Sequence, residues 1–337
     1  MLTRAIYGCA GQALSADERT FFRKVRPAGF ILFARNVKDP VQVTKLIEQM
    51  RDTVAGEKAL VLIDQEGGRV ARLKPPHWKA RPPGQRFADL YAGNPEAAKE
   101  AAYLNARLMA HELAALGINV NCVPVLDVPV SGANEVIGDR AYGRNVGGVI
   151  DLGRAVIEGM LDGGVLPVMK HIPGHGRANV DSHLALPRVD TDWEDLSTSD
   201  FVPFRSLNHC PLAMSAHVVY EAIDSSRPAT TSPKLIRDII RGEIGFGGLL
   251  LSDDVSMQAL TGSIGARTKA ALFAGCDIAL HCNGKMDEMK QVAGEAGPLE
   301  GAAAQRFEAA MVQLAAPSGL DVDAGETRLT ELLGAMA

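Results

Sequence analysis

The run Leu249-Leu250-Leu251-Ser252-Asp253-Asp254 carries the most chemistry in this chain. Unbroken apolar residues mark a strand buried on both faces, and here the strand ends in two carboxylates. In parallel α/β folds ligands gather at the carboxyl ends of strands, so an acid placed there is set to act on one. An Asp ahead of Val255-Ser256-Met257-Gln258 also suits a helix N-cap, and with two Asp residues one can cap while the other faces a site. Two further runs end the same way. Val165-Leu166-Pro167-Val168-Met169 leads into Lys170-His171-Ile172-Pro173-Gly174-His175-Gly176-Arg177 and on to Asp181-Ser182-His183. Ala59-Leu60-Val61-Leu62-Ile63 leads into Asp64-Gln65-Glu66-Gly67-Gly68-Arg69, with Arg72 following. Three apolar strands that each terminate in charge predict a site assembled from several strand ends. His171 and His175 have the i, i+4 spacing of helical metal ligands, but Pro173 and Gly174 between them oppose a helix.

Positioning these groups requires a repeating scaffold. Strands are expected at 5–8, 29–33, 59–63, 119–130, 165–169, 212–216, 248–252 and 277–280. Between them lie helix signals: Ser15-x-x-Glu18 has the form of a capping box, and Asp39-Pro40 and Asn94-Pro95 open helices. Gly117 should end the second of these, and Ser232-Pro233 should cap the helix before the strand at 248. Eight strands alternating with helices predict a parallel sheet closed into a (β/α)8 TIM-type barrel. An open doubly wound sheet is the alternative, although no GxGxxG fingerprint follows an early strand. With no linker or low-complexity stretch, the chain reads as one catalytic barrel domain over 1–337, its Ala-rich helices from about 295 packed outside.

Composition narrows the class. The 337 residues are 47% hydrophobic and 22% charged, enough for a large core, and the net charge of −5 offers nucleic acid or an anionic membrane no attraction. Cys9, Cys122, Cys210, Cys276 and Cys282 form no CxxC pair. An odd count without a secretory signal, and without a ~20-residue apolar span, predicts a cytoplasmic protein. A monomer is the default expectation.

Together, Lys170-His171-Ile172-Pro173-Gly174-His175-Gly176, Asp181-Ser182-His183 and Ser252-Asp253-Asp254-x-Ser256-Met257 resemble family 3 glycoside hydrolases. Within that family the resemblance is to the single-domain bacterial β-N-acetylglucosaminidases that recycle peptidoglycan fragments. Gly29-Phe30-Ile31-Leu32-Phe33-x-Arg35-Asn36, the Asp64–Arg72 segment and Ile137-Gly138-Asp139-Arg140 extend it, so that it covers roughly residues 5 to 290. The resemblance implies that Asp253 is the nucleophile and that His183, oriented by Asp181, is the general acid/base. It also implies that Asp64, Arg72, Arg140, Lys170 and His171 hold the N-acetylglucosamine. Larger family members draw a Glu acid/base from a second domain, for which no room is expected after residue 290.

Such an enzyme would remove terminal N-acetylglucosamine from N-acetylglucosaminyl-anhydromuramyl peptides or other β-N-acetylglucosaminides, with no metal and no cofactor. A histidine with an ordinary pKa near ~6.5 suits protonation of the leaving oxygen and then deprotonation of water. The i, i+2 spacing of Asp181 and His183 requires a turn or extended loop, which Gly174 and Gly176 favour; the dyad is expected to close over bound sugar. Phosphorolysis is the alternative within the enzyme class, since a histidine that can carry positive charge repels phosphate less than a carboxylate does. A metal-dependent hydrolase using His171, His175, His183 and an Asp, or a noncatalytic sugar-binding barrel, are the rival classes. Glu66 is the substitute acid/base if His183 is not one.

Overall fold

The structure is a computed structural model that describes residues 1–182 and 185–334. Its strands, in chain order, are β1 (Thr3–Tyr7), β2 (Pro27–Leu32), β3 (Leu60–Ile63), β4 (Val120–Asn121), β5 (Leu166–Ile172), β6 (Arg188–Val189), β7 (Leu212–Ser215), β8 (Val219–Tyr220), β9 (Leu249–Asp254) and β10 (Ile278–His281). Eight of them close a parallel barrel in the order β1-β10-β9-β7-β5-β4-β3-β2, while β6 and β8 form a two-stranded pair outside it. Closure comes from β1, which pairs with β2 on one side and β10 on the other, with Ala5 opposite Ala279. Every residue of β2, β3 and β5 is buried. Strands wrapped by side chains inside and helices outside have no solvent face, which is why they read as continuous apolar runs.

Helix termini follow the sequence signals. Ser15 and Glu18 form the reciprocal capping box of the helix Ala16–Val25. Asp39 and Asn94 accept from the free amides of Pro40–Thr53 and Pro95–Leu116, and Gly117 ends the latter in the left-handed conformation, where a Cβ would be strained. Ser232 Oγ accepts from Leu235 N at the start of the helical segment Leu235–Glu243.

One strand differs from expectation. Of residues 119–130 only Val120 and Asn121 form a barrel strand, with Val125 making an isolated parallel bridge to Lys170. Pro124 and Pro129 have no amide to give a ladder, so the chain leaves the sheet after Asn121. It rejoins β5 irregularly, Pro124 O accepting from Lys170 N (3.0 Å) and Leu126 N donating to Lys170 O (2.7 Å). That detour tucks Asp127, fully buried, beneath the end of β5.

The last helices, Gly301–Val312 and Val322–Gly334, lie outside the barrel wall. The buried Arg81 guanidinium clamps the second one, reaching both Glu112 (2.6 Å) and Glu326 (2.8 Å). Arg107 bonds Ser318 O at 2.8 Å.

Gly176 packs directly on the Val128 backbone, where a Cβ would collide with the Val128 carbonyl. Gly176→Ala must therefore push the loop after β5 off its support. Overpacking of this kind costs about 1–3 kcal/mol, and we expect a loss in that range on urea unfolding.

Candidate active site

The charged strand ends converge on one cavity of about 450 Å³ at the C-terminal mouth of the barrel. Asp64, Arg72, Arg140, Lys170, His171, Asp181 and Asp253 all line it. Every described residue of the expected site is therefore in one place; His183 lies outside the described residues.

A chain of ion pairs spans the cavity floor. Arg72 donates to Asp64 Oδ2 (3.1 Å), and Lys170 Nζ donates to Asp64 Oδ1 (2.9 Å). The same ammonium meets Glu66 Oε1 at 2.6 Å, and Arg140 grips Glu66 with two bonds of 2.8 Å. Three cations thus alternate with two carboxylates brought in by three segments. Burial alone would raise both acids. The Lys170 and Arg72 charges outweigh it and hold Asp64 well below the usual carboxylate range, while Lys170 and Arg140 hold Glu66 down to about 2. Burial in turn would lower Lys170, but Asp64 and Glu66 overcome it and raise the ammonium above its ordinary value. All five groups are charged at neutral pH, and such groups make charge-assisted hydrogen bonds to sugar hydroxyls.

Below this chain sits Asp127, absent from the expected site. Its Oδ2 meets His171 Nδ1 at 2.7 Å, and its Oδ1 accepts the amides of His171 (3.1 Å) and His175 (2.7 Å). Burial would raise Asp127, but His171 outweighs that and brings it to about 2. The carboxylate fixes the His171 ring so that Nε2 is the nitrogen left for a ligand. His171 is in β5 and His175 in the turn beyond, so the pair does not share a helix. His175 is buried and pushed down to about 4 by that burial, with His171 adding to the effect. Among the described residues no group of three or more His, Cys, Asp or Glu is arranged to hold a metal ion.

The two aspartates at the end of β9 divide their roles. Asp254 Oδ1 accepts the amides of Ser256 (2.9 Å) and Cys282 (3.1 Å), its Oδ2 accepts the Ser256 hydroxyl (2.6 Å), and its carbonyl meets His217 Nε2 (3.0 Å). No helix follows it; Asp254 caps a turn and ties that turn to β10. Asp253 Oδ1 accepts the Asp254 amide at 2.8 Å, and both aspartates line the cavity. His217, bonded also to Thr230 Oγ1 (2.8 Å), and Asn36, bonded to the Cys9 and Gly11 carbonyls, are satisfied packing residues. Arg35 lines the cavity but spends its guanidinium on the Cys9 and Cys282 carbonyls.

The family model for the glycosyl hydrolase family 3 N-terminal domain matches residues 7–316. The chain belongs to glycosyl hydrolase family 3. A β-hexosaminidase of Alkalilimnicola ehrlichii is 40% identical over 287 residues, covering 84% of this chain and 81% of that protein. Among solved family 3 structures, native NagZ from Neisseria gonorrhoeae superposes with a TM-score of 0.87 at 30% identity, over 98% of both chains. A family 3 β-N-acetylglucosaminidase from Paenibacillus sp. str. FPU-7 gives a TM-score of 0.87 at 31% identity, over 98% of this chain and 66% of that one.

These perturbed groups set how stability responds to acid. Between pH 6.5 and about 4 the unfolded chain takes up a proton on His175 that the folded site refuses. From 4.5 down to about 2 the unfolded chain likewise protonates Glu66 first, and from 3.8 down to about 2 Asp127. In each window the unfolded state binds more protons, so stability falls as pH falls. Tm measured across that range should decline stepwise. Glu66→Gln should be less stable than the parent at pH 7 and lose less between pH 4.5 and 2.

Proposed function

We propose that this chain is an exo-acting, retaining β-N-acetylglucosaminidase that works through a covalent glycosyl-enzyme. The observation that carries the reading is the division of labour at β9: both aspartates line the cavity floored by Asp64, Lys170 and Arg140, but Asp254 has both carboxylate oxygens engaged by its turn and β10, which points to Asp253 as the nucleophile. A carboxylate aimed at a polar sugar-sized pocket is what nucleophilic attack at an anomeric carbon needs. The ion-paired floor would hold the terminal sugar's hydroxyls, with Arg72 and His171 at its sides. Asp181, at the cavity wall, would orient His183 and stabilise its imidazolium after His183 has taken water's proton. Glu66 is a poor substitute acid, because at about 2 and paired to both Lys170 and Arg140 it has no proton to give at neutral pH. A likeness to the peptidoglycan-recycling branch supports N-acetylglucosaminyl-anhydromuramyl peptides as substrates. Action on such fragments would suit a cytoplasmic enzyme, and five buried free thiols support that reading. No described helix is long and apolar enough to cross a membrane.

Turnover of p-nitrophenyl N-acetyl-β-glucosaminide, beside the glucoside and with or without phosphate, tests the activity. We expect hydrolysis of the N-acetylglucosaminide; a sugar phosphate as the product would make the enzyme a phosphorylase. Asp253→Ala should lower kcat by roughly 10⁴-fold or more, and a 2-fluoro substrate should leave a sugar on Asp253 by mass spectrometry. An adduct on Asp254, or none, would overturn the assignment. Alanine at Asp64, Lys170, Arg140 or His171 should each cost about ten- to a hundredfold in kcat/KM, the equivalent of one charge-assisted hydrogen bond.

His183→Ala should still glycosylate Asp253 from a nitrophenyl substrate, because that leaving group needs little protonation. The intermediate should then accumulate, and azide, which needs no base, should release it as the β-glycosyl azide. Asp181→Ala should show a milder form of the same defect.

A further inference from the structure

The loop after β5 contains a buried pair that the reaction as described does not use. Ser182 stands between Asp181 and His183, and it is 3% exposed although Asp181 is only half-buried and Ala185 is exposed. Its hydroxyl meets His175 Nε2 at 3.2 Å. Its carbonyl accepts the amide of Ala259 at 3.3 Å, in the turn that follows β9 and its Asp253. His175 is itself immovably placed. Its amide is bound to Asp127, its ring packs edge-on to His171 with centroids 5.6 Å apart, and the neighbouring Gly174 carbonyl accepts the Tyr220 hydroxyl. His175 Nδ1 meets no hydrogen-bond partner among the described residues, so the Ser182 hydroxyl is the polar contact that the ring side chain has there. Among the described residues, each of the two groups would be a buried polar atom without a partner if the other were removed.

This geometry closes the segment 175–182 on itself and fastens it to the nucleophile's own turn. We propose that Ser182 is a positioning residue: clasped by His175 and Ala259, it anchors the stretch of chain that carries Asp181 and continues into His183 to the turn after Asp253. The inference rests on His183 being the acid/base. A neutral His175, which its low pKa ensures above about pH 4, can receive the Ser182 proton or donate its own, so the clasp persists through the working range. Releasing it would leave Asp253 and the sugar-binding floor in place but let the proton donor drift. Proton-transfer distances tolerate little drift, so the loss should fall on protonation of the leaving group.

The test compares two substrates, p-nitrophenyl and methyl N-acetyl-β-glucosaminide, because only the second needs full protonation of its leaving oxygen. For Ser182→Ala we expect kcat/KM to fall less than about threefold on the nitrophenyl substrate and about tenfold or more on the methyl glycoside, a partial loss of general-acid catalysis. Ser182→Thr, which keeps the hydroxyl, should restore the methyl glycoside rate. His175→Phe should reproduce the split, and the double variant should be no worse than either single one, as expected of two groups acting through one contact. An equal loss on both substrates, or no loss on either, in Ser182→Ala would overturn the inference. His183→Ala serves as the reference. If it shows the split and Ser182→Ala does not, only the role of Ser182 falls; if His183→Ala shows no split, the acid/base reading falls and takes this inference with it. Should His175→Phe fail to fold, the Ser182 variants decide alone.

Discussion

The two contacts of Lys170 Nζ, one with Asp64 and one with Glu66, are the interaction on which the site depends. An ammonium 2% exposed is tolerable only with partners, and here two carboxylates from the loop after β3 supply them. Each carboxylate is in turn held by an arginine from another part of the mouth. The barrel brings β3 next to β4 and β4 next to β5, so this alternation of charge is a direct result of strand order. Removing Lys170 would leave two acids facing each other with only their outer arginines, Arg72 and Arg140, to offset the repulsion, so its loss threatens both ends of the chain at once.

Beneath the ion chain, Asp127 gives the site depth. It accepts three hydrogen bonds from two histidines, and so converts a flexible Pro-Gly loop into a fixed ledge above the barrel. The ligand-facing groups are therefore set before substrate arrives. Preorganised charge in a concave, partly dry site is worth far more to catalysis than the same charge in water. Beside Asp253 at the end of β9, Asp254 absorbs the local capping demands through both of its carboxylate oxygens.

Much of this was readable in the sequence, for identifiable reasons. The eight strands and their order of use were visible because strands buried on both faces are apolar throughout, and the sudden charge at 64, 170 and 253 marked their functional ends. The segment 119–130 misled because Val123, Val125, Leu126 and Val128 are as apolar as a strand, while the prolines that break the pairing are only two. Asp127 hid in the same stretch. Its signal is available: a lone acid inside an apolar run must be paired when buried, and the histidines after β5 are candidate partners. Glu66 was in view but was read as a reserve acid, because nothing local reveals that Lys170 and Arg140, 104 and 74 positions away by residue number, neutralise it. His175 was weighed only as a metal ligand, and its contact with Ser182 depends on a loop closure that spacing does not encode.

Barrel closure by β1 and β10 also imposes an order on biosynthesis. A chain emerging N-terminus first presents Asp64, Glu66, Arg140 and Lys170 well before Asp253, and β1 cannot find its second neighbour until residue 281 has been made. The residues of the ion-paired floor are thus all synthesised before the β9 carboxylates that share their cavity, and the cavity they line together is complete only when the last barrel strand has been made.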